Sequence, residues 1–352
     1  RIPPVRYTER KIPRHEARPV IPRPTRVLPI NLTDPDPDTI RVAAAVIRGG
    51  GLVAFPTETV YGLGANALDP AAVRSVFEAK GRPAGNPLII HVADERMCGR
   101  VVASWPESAR LLAARFWPGP LTLVLPKVAG VPLEVTGGGP TVGVRMPGHP
   151  VALALIREVG VPLAAPSANR SSQVSPTRAE HVRAGLDGQI DLILDAGPTT
   201  NGIESTVLDL TTDPPTQLRP GPISRSELEQ AIGPIRGRNA VSATGPLPSP
   251  GLLPRHYAPR TAVELFATAA DAEARAAELR ATGARVAIVV IGGQSGGDVF
   301  SMPAEATGYA ARLYDVMHDL DGRGLSRVLI ELPIDSDEWH AVRDRLTRAA
   351  AR

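Results

Sequence analysis

AFPTETVYGLGANALDPAAVRSVFEAKGRPAGNPLIIHV, residues 54–92, is the stretch that decides the fold. It opens on the end of an apolar strand, GLVAF (51–55), and passes through a turn carrying Thr57, Glu58, Thr59 and Tyr61. A helical pattern near 70–80 follows, and the segment closes on a second strand, PLIIHV (87–92). Strand, turn, helix and strand in this order define an α/β unit. In open α/β sheets ligands sit beyond the carboxyl ends of strands, so the polar groups after Phe55 and His91 late in PLIIHV can line one crevice. The same residues admit a plainer role, with Thr57 and Thr59 capping a turn and His91 a satisfied core histidine.

Lys80 and Arg82 sharpen the choice. Only three of the 39 basic residues are lysines, at 11, 80 and 127, so arginine is this chain's default cation. An ammonium is a compact charge suited to a phosphate oxygen, while the arginine fork clamps two oxygens at once. A cation at a helix C-terminus with Gly81 as left-handed cap would account for Lys80 but not for Arg82 or Asn86. There is no G-x-x-x-x-G-K-S/T element, which excludes an ordinary P-loop.

Upstream, DPDTIRVAAAVIRGG sets Ile40, Ala43, Ala44 and Ile47 at helical spacing and stops at Gly49–Gly51. Downstream, LTLVLP (121–126), TVGVRM (141–146), VPLAAP (161–166), DLILDA (191–196), STVLDL (205–210) and TQLRP (216–220) read as strands, with helices near 107–116, 150–159 and 224–232. Several strands follow one another directly, which predicts a mixed twisted sheet. Proline and glycine crowd residues 233–259 and mark a linker. Beyond it TAVELF, ARVAIVVIGG and SRVLIEL alternate with three helical segments, as in a small Rossmann-like α/β layer. GGQSGG (292–297) reads as a turn. The expected organisation is an extension at 1–30, a catalytic α/β domain at 31–232, a linker and lid at 233–260, and a C-terminal α/β domain at 261–352.

The chain has 352 residues, 43% hydrophobic and 21% charged, which suits two globular domains. No stretch approaches the roughly 18 unbroken apolar residues of a spanning helix, so no membrane role is expected. The single cysteine, Cys98, forms no internal disulfide and has no neighbours at zinc-ligand spacing. The net charge of +3 is uneven: residues 1–30 hold eight Arg or Lys against two Glu, leaving 31 basic against 34 acidic residues in the remainder. That proline-rich arm is either a solvated extension or a contact for RNA phosphates.

The motifs PTETVYGLG (56–64), KGRPAGNPLIIHV (80–92), TVGVRMPGHP (141–150), APSANRSSQVSPT (165–177), ESTVLDL (204–210), LRPG (218–221) and SPGLLPRHYAP (249–259) occur in one order. Together they resemble the threonylcarbamoyl-AMP synthases, in the longer form with a YrdC-like catalytic domain, a proline-rich linker and a C-terminal domain. The resemblance implies a YrdC-like mixed sheet followed by a smaller Rossmann-like domain. It implies a cytoplasmic enzyme that joins L-threonine, bicarbonate and ATP into an adenylate, releasing pyrophosphate. The product serves threonylcarbamoylation of adenosine 37 in tRNA, through a tRNA-modifying transferase complex and with tRNA itself as a further partner.

On the same resemblance L-threonine meets Thr59, His91, Arg145, the main chain at Ala165, and Ser205. ATP meets Lys80, Arg82, Asn86, Thr141, Ser167, Ser175, Arg219 and His256, with Lys80 and Arg82 catalytic by charge neutralisation. His256 and Tyr257 form a lid. Mg²⁺ arrives with the triphosphate, with either Glu58 or Glu204 assisting; protein ligands for it are not fixed by the sequence. Two other functions use the same residues. A non-catalytic double-stranded RNA or tRNA-binding protein would grip phosphates with Lys80, Arg82 and Arg219, although residues 31–352 are net acidic and aromatics are only 4% of the chain. A hydrogenase-maturation enzyme making a related carbamoyl-adenylate would carry zinc-finger cysteines, and only Cys98 exists.

Overall fold

The computed structural model describes residues 24–237, 249–250 and 256–351. The arm before residue 24 and the parts of the expected linker at 238–248 and 251–255 lie outside the described residues. The first unit runs β1 (Arg26–Pro29), α1 (Pro37–Arg48), β2 (Val53–Phe55), β3 (Gly62–Asn66), α2 (Pro70–Lys80), β4 (Ile89–His91), α3 (Glu95–Cys98), α4 (Glu107–Phe116) and β5 (Leu121–Pro126). It continues with α5 (Leu133–Thr136), β6 (Thr141–Arg145), α6 (Pro150–Val159), β7 (Leu163–Ala164), α7 (Ala179–Leu186), β8 (Leu192–Asp195), β9 (Thr206–Asp209), β10 (Thr216–Arg219), α8 (Arg225–Ile232) and β11 (Arg236–Gly237).

These strands form one mixed sheet in the order β1-β8-β2-β3-β7-β4-β6-β5-β9-β10-β11. Local chemistry sets the elements. α1 starts where Asp36 accepts a hydrogen bond from the Thr39 amide and Pro37 fills the first turn, and it buries the expected Ile40, Ala43, Ala44 and Ile47. α2 is capped by Asp69 and stopped by Gly81 in the left-handed region. The consequence for the site is the pairing of β4 with β6, parallel and in a register that sets His91 beside Arg145 at their carboxyl ends.

The second unit comprises β12 (Ala262–Phe266), α9 (Ala269–Ala281), β13 (Val286–Ile291), β14 (Val299–Met302), α10 (Ala306–Asp321), β15 (Arg327–Glu331) and α11 (His340–Ala350). Its strands make a parallel sheet in the order β12-β15-β13-β14. The two units share a core: Val60, Val174 and Ile203 of the first pack with Tyr309, Leu313 and Tyr314 of α10 and Leu346 of α11. The backbones approach so closely that a side chain at Gly202 would lie 2.3 Å from the Ala310 carbonyl oxygen. An Arg178–Asp315 ion pair at 2.6 Å and a stacked His181–His318 pair at 3.9 Å complete the junction.

Two expected boundaries move. The extension assigned to residues 1–30 includes β1, which pairs with β8, and Thr25, whose hydroxyl donates to the Ile190 carbonyl at 2.9 Å. Proline and arginine content hid a strand that adds to the sheet edge. The linker assigned to 233–260 begins too early, because β11 still pairs with β10. β3 also lies in residues read as a turn. Gly64 conceals it, being a poor strand former that is needed here because a Cβ would stand 2.7 Å from the Phe55 ring. Strand β14 follows the GGQSGG turn and was not expected.

Since β1 adds a strand pairing at the sheet edge and Thr25 a buried hydrogen bond, deleting residues 1–30 should cost about 2–4 kcal/mol relative to deleting 1–23, measured by chemical denaturation. Equal stability of the two truncations would show that β1 adds nothing to the sheet.

Candidate active site

One wall of the principal pocket is built on β4, β6 and the turn after β2. Arg145 is buried at the end of β6. Its Nη1 donates to Thr59 Oγ1 at 3.0 Å, its Nε to the Gly119 carbonyl at 3.2 Å, and its Nη2 lies 2.6 Å from Glu58 Oε1. Thr59 is held in turn by the Thr57 hydroxyl at 2.8 Å. His91 stands beside Arg145 with its Nδ1 buried and without a hydrogen-bond partner among the described residues. Burial and the neighbouring Arg145 charge push His91 down to about 3, so its imidazole is neutral near pH 7.

The opposite wall comes from β9, β10, the 165–171 turn and residues 256–257. Arg219, ending β10, donates from Nε to the Ser205 carbonyl at 3.0 Å, from Nη2 to Ser205 Oγ at 3.1 Å and from Nη1 to the Tyr257 hydroxyl at 3.4 Å. Ser205 Oγ also pairs with Thr122 Oγ1 at 2.8 Å. Arg82 is oriented by Asn86, whose Oδ1 accepts from Nη2 at 2.7 Å, and by the Pro87 carbonyl at 2.8 Å. Burial lowers Arg82 to about 10, which leaves it cationic at neutral pH. His256 and Tyr257 pack edge to face at 4.0 Å, with Tyr257 at φ 59°, a left-handed conformation unusual for a side chain of its size.

The pocket between these walls holds about 520 Å³ of unfilled space, mouth included. Thr59, His91, Arg145, Ala165 and Ser205, the five expected threonine residues, all line it. Of the expected ATP residues, Arg82, Ser167, Arg219 and His256 line it, together with Tyr257. Lys80, Asn86, Thr141 and Ser175 are not among its lining residues. Lys80 donates instead to the Ser167 carbonyl at 2.6 Å and to the Asn169 carbonyl, pinning the APSAN turn. Its burial, with Arg82 close by, holds its ammonium well below the usual lysine range. Asn86 braces Arg82, and the Ser175 hydroxyl donates to Glu204. Thr141 begins β6, four residues before Arg145 and so about 13 Å from that strand's functional end.

Glu58 and Glu204, open as magnesium partners in the sequence, are both engaged. Glu58 pairs with Arg145, while Glu204 receives Arg345 Nε at 2.8 Å, the Tyr314 hydroxyl at 3.1 Å and the Ser175 hydroxyl. Among the described residues no group of three or more His, Cys, Asp or Glu could hold a metal ion. A double-stranded nucleic-acid grip is also disfavoured by geometry, because Lys80, Arg82 and Arg219 are 2%, 8% and 4% exposed and cannot track a duplex backbone. Sequence reasoning missed Arg345 and Tyr314; the available signal was an arginine within the apolar stripe Ala341, Val342, Leu346 and Ala349 of α11. No helix among the described residues is long and apolar enough to cross a membrane.

A mixed α/β sheet with two cationic walls facing one pocket defines a class of protein suited to small anionic substrates. The family model described as Telomere recombination matches residues 45–221, and the model described as Threonylcarbamoyl-AMP synthase, C-terminal domain, matches residues 223–351. The chain is 46% identical to the threonylcarbamoyl-AMP synthase of Pyrococcus abyssi, over 88% of this chain and 94% of that protein. It is 43% identical to the one of Bacillus subtilis, over 91% and 94%. The crystal structure of P. abyssi Sua5 complexed with L-threonine superposes with a TM-score of 0.87 at 44% identity, covering 93% of this chain and 98% of that one. The chain belongs to the threonylcarbamoyl-AMP synthase family, in the form that carries the C-terminal domain.

Burial holds His91 and His256 at about 3, and His149 and His181 at about 4, far below the unfolded value near 6.5. The unfolded chain therefore takes up protons that the native protein refuses, so stability is full above about 6.5 and falls as pH drops toward these folded values. Between pH 6.5 and 5, before most carboxylates titrate, denaturant titrations should show a slope approaching about 1.4 kcal/mol per pH unit for each such histidine. A flat profile over that window would contradict their buried neutral state.

Proposed function

We propose that this protein is an L-threonylcarbamoyladenylate synthase, which condenses L-threonine, bicarbonate and ATP to threonylcarbamoyl-AMP, pyrophosphate and water. The observation that carries this is the pairing of two cationic walls across one pocket, Arg145 with His91 and Thr59 on one side, Arg219 and Arg82 with Ser167 on the other. One wall suits an amino-acid carboxylate and the other a polyphosphate. The high identity to named synthases over nearly the whole chain supports the same reaction.

Arg145 receives the threonine carboxylate on its fork, beside the neutral His91 imidazole. The ammonium gives up one proton, and the free amine bonds the carbon of bicarbonate with loss of water, leaving a carbamate. A carbamate oxygen then bonds the α-phosphorus of ATP as the bond to the bridging oxygen breaks, and pyrophosphate departs with that electron pair. Arg219 and Arg82 offset the charge on the phosphates; Lys80 holds the Ser167 turn whose groups face them. No protein nucleophile takes part. Mg²⁺ comes bound to ATP, held by phosphate oxygens and water. His256 and Tyr257 exclude water from the adenylate, which would otherwise hydrolyse. The product passes to a transferase complex that modifies adenosine 37 of tRNA in the cytoplasm.

Purified protein mixed with ATP, Mg²⁺, bicarbonate and L-threonine should release pyrophosphate, and leaving out threonine or bicarbonate should abolish the release. Release that persists without either would refute the reaction. Arg145→Lys keeps the charge but loses the two-pronged grip, so the threonine KM should rise by about 10- to 100-fold while the ATP KM moves by less than about threefold. Equal shifts in both would remove Arg145 from the amino-acid site.

A further inference from the structure

α11 carries a charge where its apolar stripe should continue. Ala341, Val342, Leu346 and Ala349 face the core at helical spacing, and Arg345 among them has no exposed surface. Its guanidinium reaches out of the C-terminal domain and into the wall of the pocket. Nε donates to Glu204 Oε2 at 2.8 Å, and Nη2 donates to the Pro220 carbonyl at 3.1 Å. Nη1 is held by Asp344 at 2.8 Å, and the guanidinium carbon lies 4.9 Å from the centre of the Tyr257 ring. Glu204 precedes Ser205, Pro220 follows Arg219, and Tyr257 receives Arg219 Nη1. One side chain thus joins three separate segments that carry pocket residues.

Stability alone does not call for this arrangement. Desolvating an ion pair offsets most of its attraction, and a well-packed apolar residue of similar volume is often as good. Positional control is what an apolar residue would lose, since only a planar fork bonds a carboxylate and a carbonyl in fixed directions while offering its face to a ring. The residues it fixes lie on the nucleotide side. The Thr59, His91 and Arg145 wall rests on β4, β6 and Glu58, with no hydrogen bond or ion pair to Arg345.

We propose that Arg345 is a positioning residue for the nucleotide half of the pocket, supplied by the C-terminal domain, acting through Glu204, the Pro220 carbonyl and the Tyr257 ring to set Arg219. This rests on the reading of that half as the ATP site. The catalytic domain by itself then lacks one of the groups that shape its own pocket.

Arg345→Met and Arg345→Lys in the full chain test it, with folding followed by thermal melting, ATP affinity by calorimetry without threonine, and KM for each substrate by pyrophosphate release. Arg345→Met should raise the ATP dissociation constant and ATP KM by about tenfold, the scale of one lost charge-assisted hydrogen bond, with threonine KM changed less than about threefold. Arg345→Lys still neutralises Glu204 but cannot also bond Pro220 and cover Tyr257, so it should melt like the wild type and show a smaller rise confined to ATP. If the methionine variant does not fold, the lysine variant decides. Folded variants with unchanged ATP constants, or with only kcat reduced, would overturn the proposal. Failure of the reaction itself shows separately, as wild-type protein that binds ATP yet releases no threonine-dependent pyrophosphate.

Discussion

Buried positive charge around a single pocket is the constraint on which the structure turns. Lys80, Arg82, Arg145, Arg219 and Arg345 are each less than 10% exposed. Carboxylates alone do not balance them, since Glu58 meets Arg145 and Glu204 meets Arg345. Backbone carbonyls do the rest: those of Gly119, Pro87, Ser167, Ser205 and Pro220 all accept from these cations. Burying an unpaired cation is costly enough that the loops at the strand ends must turn their carbonyls inward. The loop shapes and the electropositive pocket are therefore one feature.

Much of this was legible in the sequence because the relevant residues sit in short motifs at strand ends. His91 and Arg145 each close a strongly apolar strand, and the β4–β6 register brings them together. Residues whose work is indirect were harder to place. Lys80 has the chemistry of a phosphate ligand, yet its distance from the pocket wall is set by the turn it holds, and a sequence does not reveal which carbonyls will be buried beside it. Asn86 and Ser175 likewise support the neighbours Arg82 and Glu204. β1 was hidden by its proline-rich context, and β3 by Gly64, whose need is apparent only once Phe55 lies across it. Arg345 lay far from every motif, in a helix whose tertiary partner had first to be known.

The chemistry explains why a second domain is useful to such a site. A site that acts by positioning depends on geometry and on the exclusion of water. Tyr257 lines the pocket and is held in a left-handed conformation unusual for a side chain of its size. Its ring lies 6.0 Å from Tyr314 and beneath the Arg345 guanidinium, both from the C-terminal domain. Packing of α10 and α11 against the first domain thus offsets the local strain. The shared core of Val60, Val174 and Ile203 with α10 makes this contact part of the fold and not a loose docking.

The two halves of the pocket consequently differ in what they depend on. The Arg145 wall stands on paired strands, where His91 and Arg145 are fixed by the ladder and by Thr59. The Arg219 wall stands on the segments before β9 and after β10 and on Tyr257, whose positions are tied by Arg345 from another domain. Strand pairing leaves little freedom, whereas loops held by a few side-chain bonds retain more. A disturbance at the domain junction should therefore reach the Arg219 wall before it reaches the Arg145 wall.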